Sequence, residues 1–261
     1  MSIIALTTDY GTRDHYVGAL KGVILSIAPQ VRLVDVSHDI EPQNVQDAAF
    51  VLRQVWPFFP SGTIHLAVVD PGVGSDRRIV AGLYEGRYIV APDNGLLTHV
   101  HRDFARGGLH VVQNRQFFLP EVSSTFQGRD VMAPVVAHLA NGLSLGDLGP
   151  STDHIVMLPV PEQGRVAGES LWGVVVYVDR FGTLVTNIRR EQLSNLGGGG
   201  RPPEVLVNGE EIGQLRSAFH EVDPGAPVAL IGGGGMLEIA VNRGSAADRF
   251  GPPTQVQIEV R

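Results

Sequence analysis

Residues 2–139 alternate between short apolar, β-branched runs and segments with helical spacing, and that alternation constrains the fold more than any other property of the chain. Strands are expected at 2–7, 31–36, 63–69, 79–83, 87–91 and 109–112. Helices are expected at 14–28, 44–55 and 130–139. In the first of these Tyr16, Leu20, Val23, Ile24 and Ile27 share a face, and Pro29 closes it. Val45, Ala48, Ala49, Val51 and Leu52 do the same for the second. Strands alternating with helices predict a mainly parallel sheet covered on both faces. After a Pro- and Gly-rich connector at 150–170 the pattern changes. Short strands are expected at 171–178, 183–187, 204–207, 227–231, 237–241 and 255–260, with glycine turns at 197–200 and 232–235. The predicted fold class is α/β: an αβα sandwich over residues 1–160 and an antiparallel β-barrel domain over residues 161–261.

Composition excludes several functions. A net charge of −7 with scattered arginines offers no basic stripe for a phosphate backbone, so nucleic acid is not expected as a partner. No apolar run is long enough to cross a bilayer, and MSIIALTTDYG lacks a cationic leader, so neither membrane nor signal peptide is expected. Zero cysteines exclude disulfides and thiol catalysis and fit a cytoplasmic location. His99 and His101 have the spacing of one strand face, but no third ligand stands nearby, so no metal site is expected. No P-loop, GxSxG or dinucleotide fingerprint occurs.

The strongest local signal is TIHLAVVDPGVGSDRR at 63–78. A buried strand delivers a carboxylate, Asp70, to its C-terminal tip, where ligands bind in α/β sheets. The Pro-Gly-Val-Gly turn can fold Arg77 or Arg78 back toward it. Asp9 closes the first strand in a similar way; it suits ribose hydroxyls, and equally an N-cap or Asx-turn. Asp39 and Asp93 also stand at strand tips. In STFQGRD at 124–130, Arg129 and Asp130 suit a structural ion pair. VDRFGTLVTN at 178–187 places Asp179 and Phe181 around a glycine bend; the aromatic could stack on a base or simply fill a hairpin core.

TTDYG, VVDPGVGSDRR, APDNGLL, STFQGRD, VDRFGTLVTN and LEIAVNRGSAA, in that order, resemble the S-adenosyl-L-methionine (SAM) hydroxide adenosyltransferases, SAM hydrolases related to fluorinase and chlorinase. The resemblance spans nearly the whole chain. It implies an N-terminal αβα domain, a C-terminal β-barrel, and a homotrimer binding SAM between the N-terminal domain of one subunit and the C-terminal domain of the next. It implies hydrolysis of SAM to adenosine and L-methionine without a cofactor. Asp70 and Arg77 fall on the catalytic Asp and Arg, and Asp9 on the ribose-binding Asp. Phe126 and Gly128 fall on the ribose and C5′ lining. Asp179 falls on the acid that holds the methionine ammonium, Phe181 on the aromatic near adenine, and Arg243 where a backbone group meets the adenine edge. Three positions depart. Gln127 replaces a catalytic His, Thr183 an adenine-contacting Asn, and Gly233 a Ser that binds the methionine carboxylate.

A sulfonium leaves as a neutral thioether, so the chemistry needs a water held in line with C5′ rather than a general acid. A free carboxylate near pKa ~4 is a poor base for water, so orientation outweighs basicity. Gln127 cannot titrate, and slow turnover is expected. Two other readings remain open on the sequence: a metal-dependent phosphohydrolase using the strand-tip carboxylates, and a non-catalytic SAM- or adenosine-binding protein.

Overall fold

The computed structural model describes residues 2–162, 164–168, 170–196 and 203–261. The expected glycine turn at 197–200 lies outside them. Two compact units divide the chain, Met1–Leu158 and Pro159–Arg261.

In the first unit the chain runs β1 (Ile3–Thr8), α1 (Tyr16–Ile27), β2 (Arg32–Ser37), α2 (Val45–Val55), β3 (Ile64–Val68), β4 (Ile79–Tyr84), β5 (Arg87–Pro92), α3 (Thr98–Asp103), β6 (Arg106–Val111) and α4 (Ala133–Ala140). The sheet order is β2-β1-β3-β5-β4-β6. β2, β1, β3 and β5 pair in parallel, and β4 runs antiparallel between β5 and β6. Alternation along β3 shows why both faces must be covered. Ile64, Leu66 and Val68 pack toward Leu20 and Ile24 of α1 and Val135 and Val136 of α4. Ala67 and Val69 point the other way, toward Ala48 and Leu52 of α2 and Val100 of α3. Each fully buried Leu or Ile here contributes roughly 1.5–3 kcal/mol of transfer free energy.

α3 corrects one expectation: His99 and His101 lie on a helix, not on a strand face. The Asn94-Gly95 turn ends β5, Thr98 N–H bonds Gly95 O at 3.0 Å, and buried Val100 draws the segment into helix. His101 Nδ1 lies 2.9 Å from the Tyr84 hydroxyl.

The second unit contains β7 (Arg165–Ala167), β8 (Ser170–Val178), β9 (Leu184–Arg189), α5 (Arg190–Leu196), β10 (Glu204–Val207), β11 (Glu210–Gln214), β12 (Pro227–Ile231), β13 (Met236–Val241), α6 (Ala246–Phe250) and β14 (Gln257–Val260). Its order is β11-β10-β14-β8-β9-β13-β12, with β7 on β8. The sheet is nearly closed, because Arg216 N–H just after β11 bonds Ala229 O of β12 at 2.8 Å. Leu171, Leu184, Val205, Leu237, Ile239 and Ile258 fill the interior. Among the described residues no helix is long and apolar enough to cross a membrane.

The first unit stores an acid sensitivity. His65 on β3 is fully buried, stacked on Trp56 at 4.5 Å with Phe59 at its edge, and neither ring nitrogen has a hydrogen-bond partner. Burial, and then the charge of Arg87, push its pKa down to about 3. Arg87 itself is pinned by Phe59 O at 2.6 Å and Glu85 O at 3.1 Å. The folded state thus holds His65 neutral, while the unfolded chain protonates it near pH ~6.5. Stability from this site is complete above pH ~6.5. It falls by about 1.4 kcal/mol per pH unit as the pH drops toward the folded value. Urea midpoints measured from pH 8 to pH 4 are expected to show this slope, and His65→Leu to flatten it.

Candidate active site

The C-terminal tips of the parallel strands share one edge of the sheet. Thr8 pairs with Val68 across β1 and β3, so Asp9 and Tyr10 leave the sheet beside Val69 and Asp70. From Asp70 the chain turns at once: Val73 N–H bonds Asp70 O, Ser75 N–H and Oγ both bond Gly72 O, and Arg77 N–H reaches Ser75 Oγ. The turn returns the Arg77 side chain to the carboxylate seven residues before it. Arg77 Nε lies 3.0 Å from Asp70 Oδ1 and 2.9 Å from Oδ2, and Nη2 lies 2.5 Å from Oδ2. Both side chains are largely buried, 10% and 5% exposed. Oδ2 therefore carries most of the pairing, and Oδ1 keeps acceptor capacity.

The same Arg77 Nη2 donates to Gln127 Oε1 at 2.5 Å. Asp70, Arg77 and Gln127 form one connected cluster. Gly74 makes this possible. Its φ is +82°, and a Cβ there would stand 2.6 Å from Ser124 O, so only glycine lets the 70–77 turn close on the loop that carries Gln127. That loop is braced from its other end. Ser123 N–H donates to Asp130 Oδ2 at 2.8 Å, and Arg129 Nε to Asp130 Oδ1 at 2.5 Å, so the expected structural ion pair is present. A π-helical turn, Gly128–Met132, then leads into α4. Such turns often occur at functional sites.

Beside the cluster lies a cavity of about 340 Å³ lined by Tyr10, Tyr16, Ser123, Thr125, Phe126 and Arg129. Tyr10 contacts Tyr16 and Phe126 ring to ring, each at 5.8 Å, and the Arg129 guanidinium lies 4.8 Å over Phe126. Asp9 sits at the β1 tip with Oδ2 accepting from Gln43 N–H at 2.9 Å.

A polar chain holds the β1 tip. Thr8 Oγ1 accepts from Tyr10 N–H at 3.2 Å and lies 2.8 Å from His38 Nδ1. His38 Nε2 lies 3.0 Å from Asp35 Oδ1, and Lys21 Nζ is 2.7 Å from Asp35 Oδ2. Burial would raise the Asp35 carboxyl, but Lys21 and His38 outweigh it and hold it below the usual range. Gly11 N–H also bonds His38 O at 2.7 Å, so residues 8–11 are fixed on both sides.

In the second unit, Asp179 Oδ1 accepts from Phe181 N–H at 2.9 Å and Thr183 N–H at 2.8 Å, bending the chain at Gly182. Thr183 is buried, whereas Phe181 is 79% exposed, which rules out the hairpin-core reading of that ring. Glu238 on β13 stands against Gly232, and burial, then the charge of Asp179, raise its pKa. Two carboxylates whose charges act on each other suit a bound cation. Gly233 has open space around its Cα, and Arg243 takes a left-handed conformation with φ +58°.

Comparison with known proteins decides what this arrangement belongs to. The family model of the SAM hydroxide adenosyltransferase N-terminal domain matches residues 4–149, and that of the C-terminal domain matches residues 173–259. The chain belongs to the SAM hydroxide adenosyltransferase family. It is 38% identical over 265 residues to an (R)-S-adenosyl-L-methionine hydrolase of Thermus thermophilus, covering 96% of each chain. It is 34% identical over 270 residues to a fluorinase of an Actinoplanes species, covering 92% of this chain and 91% of the relative. A crystal structure of an uncharacterised conserved protein from Thermotoga maritima superposes with a TM-score of 0.90 at 35% identity, covering 100% of this chain and 99% of that one. Within this family member, Asp70, Arg77 and Gln127 come together, with Phe126 and Gly128 adjacent. Tyr10 and Glu238 enter these surroundings without a sequence signal that singles them out, although Tyr10 stands beside Asp9 in the TTDYG motif.

Proposed function

We propose that this chain hydrolyses SAM to adenosine and L-methionine by in-line attack of water on ribose C5′. The observation that carries the reading is the buried Asp70–Arg77–Gln127 cluster at the mouth of β3 in a chain of this family. Asp70 Oδ1 accepts a hydrogen from water and turns its lone pair toward C5′. Arg77 holds the carboxylate in place and stabilises hydroxide character as the C5′–O bond forms. The C5′–S electron pair departs with neutral methionine, and the water proton passes to solvent. Gln127 Oε1 accepts from Arg77 Nη2, and a neutral amide has no basic site. It cannot take that proton, which makes turnover slow.

Phe126 and Gly128 line the C5′ region, and Asp9 Oδ1 accepts from a ribose hydroxyl. In the second unit Asp179, with Glu238 beside it, holds the ammonium; Phe181 stacks on adenine, and Thr183 and the Arg243 backbone meet its edge. Gly233 leaves the methionine carboxylate to backbone or water contacts. The exposed Phe181 ring supports a homotrimer in which this unit completes the site of a neighbouring subunit. No cofactor is required. Water suits the site better than a halide, because a halide has no hydrogen to give Asp70 Oδ1. An anion ~4 Å from a carboxylate is also repelled by about 4 kcal/mol at an effective dielectric of ~20, before Arg77 offsets it.

The strand-tip carboxylates do not favour a metal-dependent phosphohydrolase. Asp93 is taken by Arg78 and the Val156 amide, Asp70 by Arg77, and among the described residues no group of three metal-ligating side chains assembles. Chromatography of SAM incubated with the protein is expected to show adenosine and methionine in equal amounts, unchanged by chelator and with no halogenated nucleoside when chloride is added. Tight binding of SAM with no adenosine after many hours would instead establish a binding protein.

A further inference from the structure

Tyr10 follows Asp9 at the tip of β1, and its hydroxyl stands directly over the Cα of Gly128. A Cβ at Gly128 would lie 2.4 Å from Tyr10 Oη and 3.2 Å from Val68 Cγ1. Val68 is two residues before Asp70, and Gly128 immediately follows Gln127. The phenol oxygen is therefore bracketed by the two segments that carry the Asp70–Arg77–Gln127 cluster. Its ring is clamped between Tyr16 and Phe126, so the hydroxyl has little freedom to swing away. Burial, and then the charges of Asp9 and Asp70, raise the phenol pKa, so both carboxylates lie within electrostatic reach and the group keeps its proton. Tyr10 N–H bonds Thr8 Oγ1, but the hydroxyl makes no hydrogen bond with any described residue. A largely buried hydroxyl without a protein partner is ordinarily completed by water or a ligand.

We infer that Tyr10 Oη is a second anchor for the attacking water, beside Asp70 Oδ1. The inference rests on the hydrolase reading and adds a catalytic residue to it. Asp70 accepts one hydrogen of the water and the phenol oxygen accepts the other. That leaves a lone pair for C5′, with rotation of the water suppressed about both bonds. As C5′–O forms and C5′–S breaks, the departing proton goes to solvent; Tyr10 stays neutral throughout.

Tyr10→Phe removes the anchor and nothing else. The expected result is a kcat lowered about tenfold, the loss of one orienting hydrogen bond. KM for SAM is expected to stay within about twofold, and the melting temperature not to fall, since no protein hydrogen bond is removed. An unchanged kcat, or an effect confined to KM, would overturn the inference. A wild-type protein that releases no adenosine would fail the hydrolase reading itself, and the wild-type trace separates that failure from the others.

Discussion

Replacing Asp70 by asparagine is expected to lower adenosine release by about 10³-fold while leaving the fold intact. The side chain keeps its shape, so the 70–77 turn, held by Val73, Ser75 and their backbone partners, has no reason to move. Its charge and one acceptor are lost. The oxygen that oriented water becomes either an amide nitrogen, which repels the water hydrogens, or a weaker carbonyl acceptor. A cost in stability accompanies this. Arg77 is only 10% exposed, and removing the partner of a buried charge typically costs about 3–5 kcal/mol. Gln127 Oε1 still accepts from Arg77 Nη2 and limits that loss. The decisive measurement is single-turnover adenosine release alongside a melting curve. An Asp70→Asn protein that folds and retains more than about a tenth of wild-type turnover would remove Asp70 from the mechanism.

The Asp70–Arg77 pair was legible because it is local. An apolar run, an acid, a glycine turn and an arginine place Asp70 and Arg77 seven residues apart, and the turn alone brings them within 3 Å. The parallel core was legible for a similar reason: the runs around Ile4, Leu66 and Val90 are largely apolar on both faces. Polar or short elements escaped. β11, EEIGQ, is an exposed edge strand with no apolar alternation to betray it. α3, THVHRD, carries a single apolar side chain and so no helical periodicity, and only the packing of Val100 reveals a helix. Tyr16 has the spacing of an apolar helix face, yet it is 41% exposed and turns toward Tyr10 and Phe126. The functions that stayed hidden depend on distant approach. Tyr10 meets Gly128, and Thr8 meets His38, only once strand order and the 124–130 loop are fixed. Gln127 carried no signal of its own; its place in STFQGRD, a motif resembling the family pattern, was the pointer.

Gln127→His is expected to speed turnover by at least tenfold and to give the reaction a pH dependence it otherwise lacks. In the wild type Gln127 has no ionisable group to serve as a base, and Tyr10 is held protonated by burial and by its two carboxylate neighbours. An imidazole at 127 can meet the same Arg77 Nη2 hydrogen or turn its lone pair to the water. In the second role it accepts the proton that now has to find solvent. A positioned general base is worth about 10²- to 10⁴-fold; the lower bound allows for the time the ring spends facing Arg77. The sign is fixed by which form reacts. Only the neutral imidazole accepts a proton, so the gain is complete above its pKa, near ~6.5 before the neighbouring guanidinium lowers it, and disappears as the pH falls through that value. kcat from pH 5.5 to 9 should be flat for the wild type and sigmoidal for the variant, the two converging at the acid end. Parallel profiles, or a variant no faster than wild type at pH 8, would show that the step limiting this enzyme is not the proton leaving water.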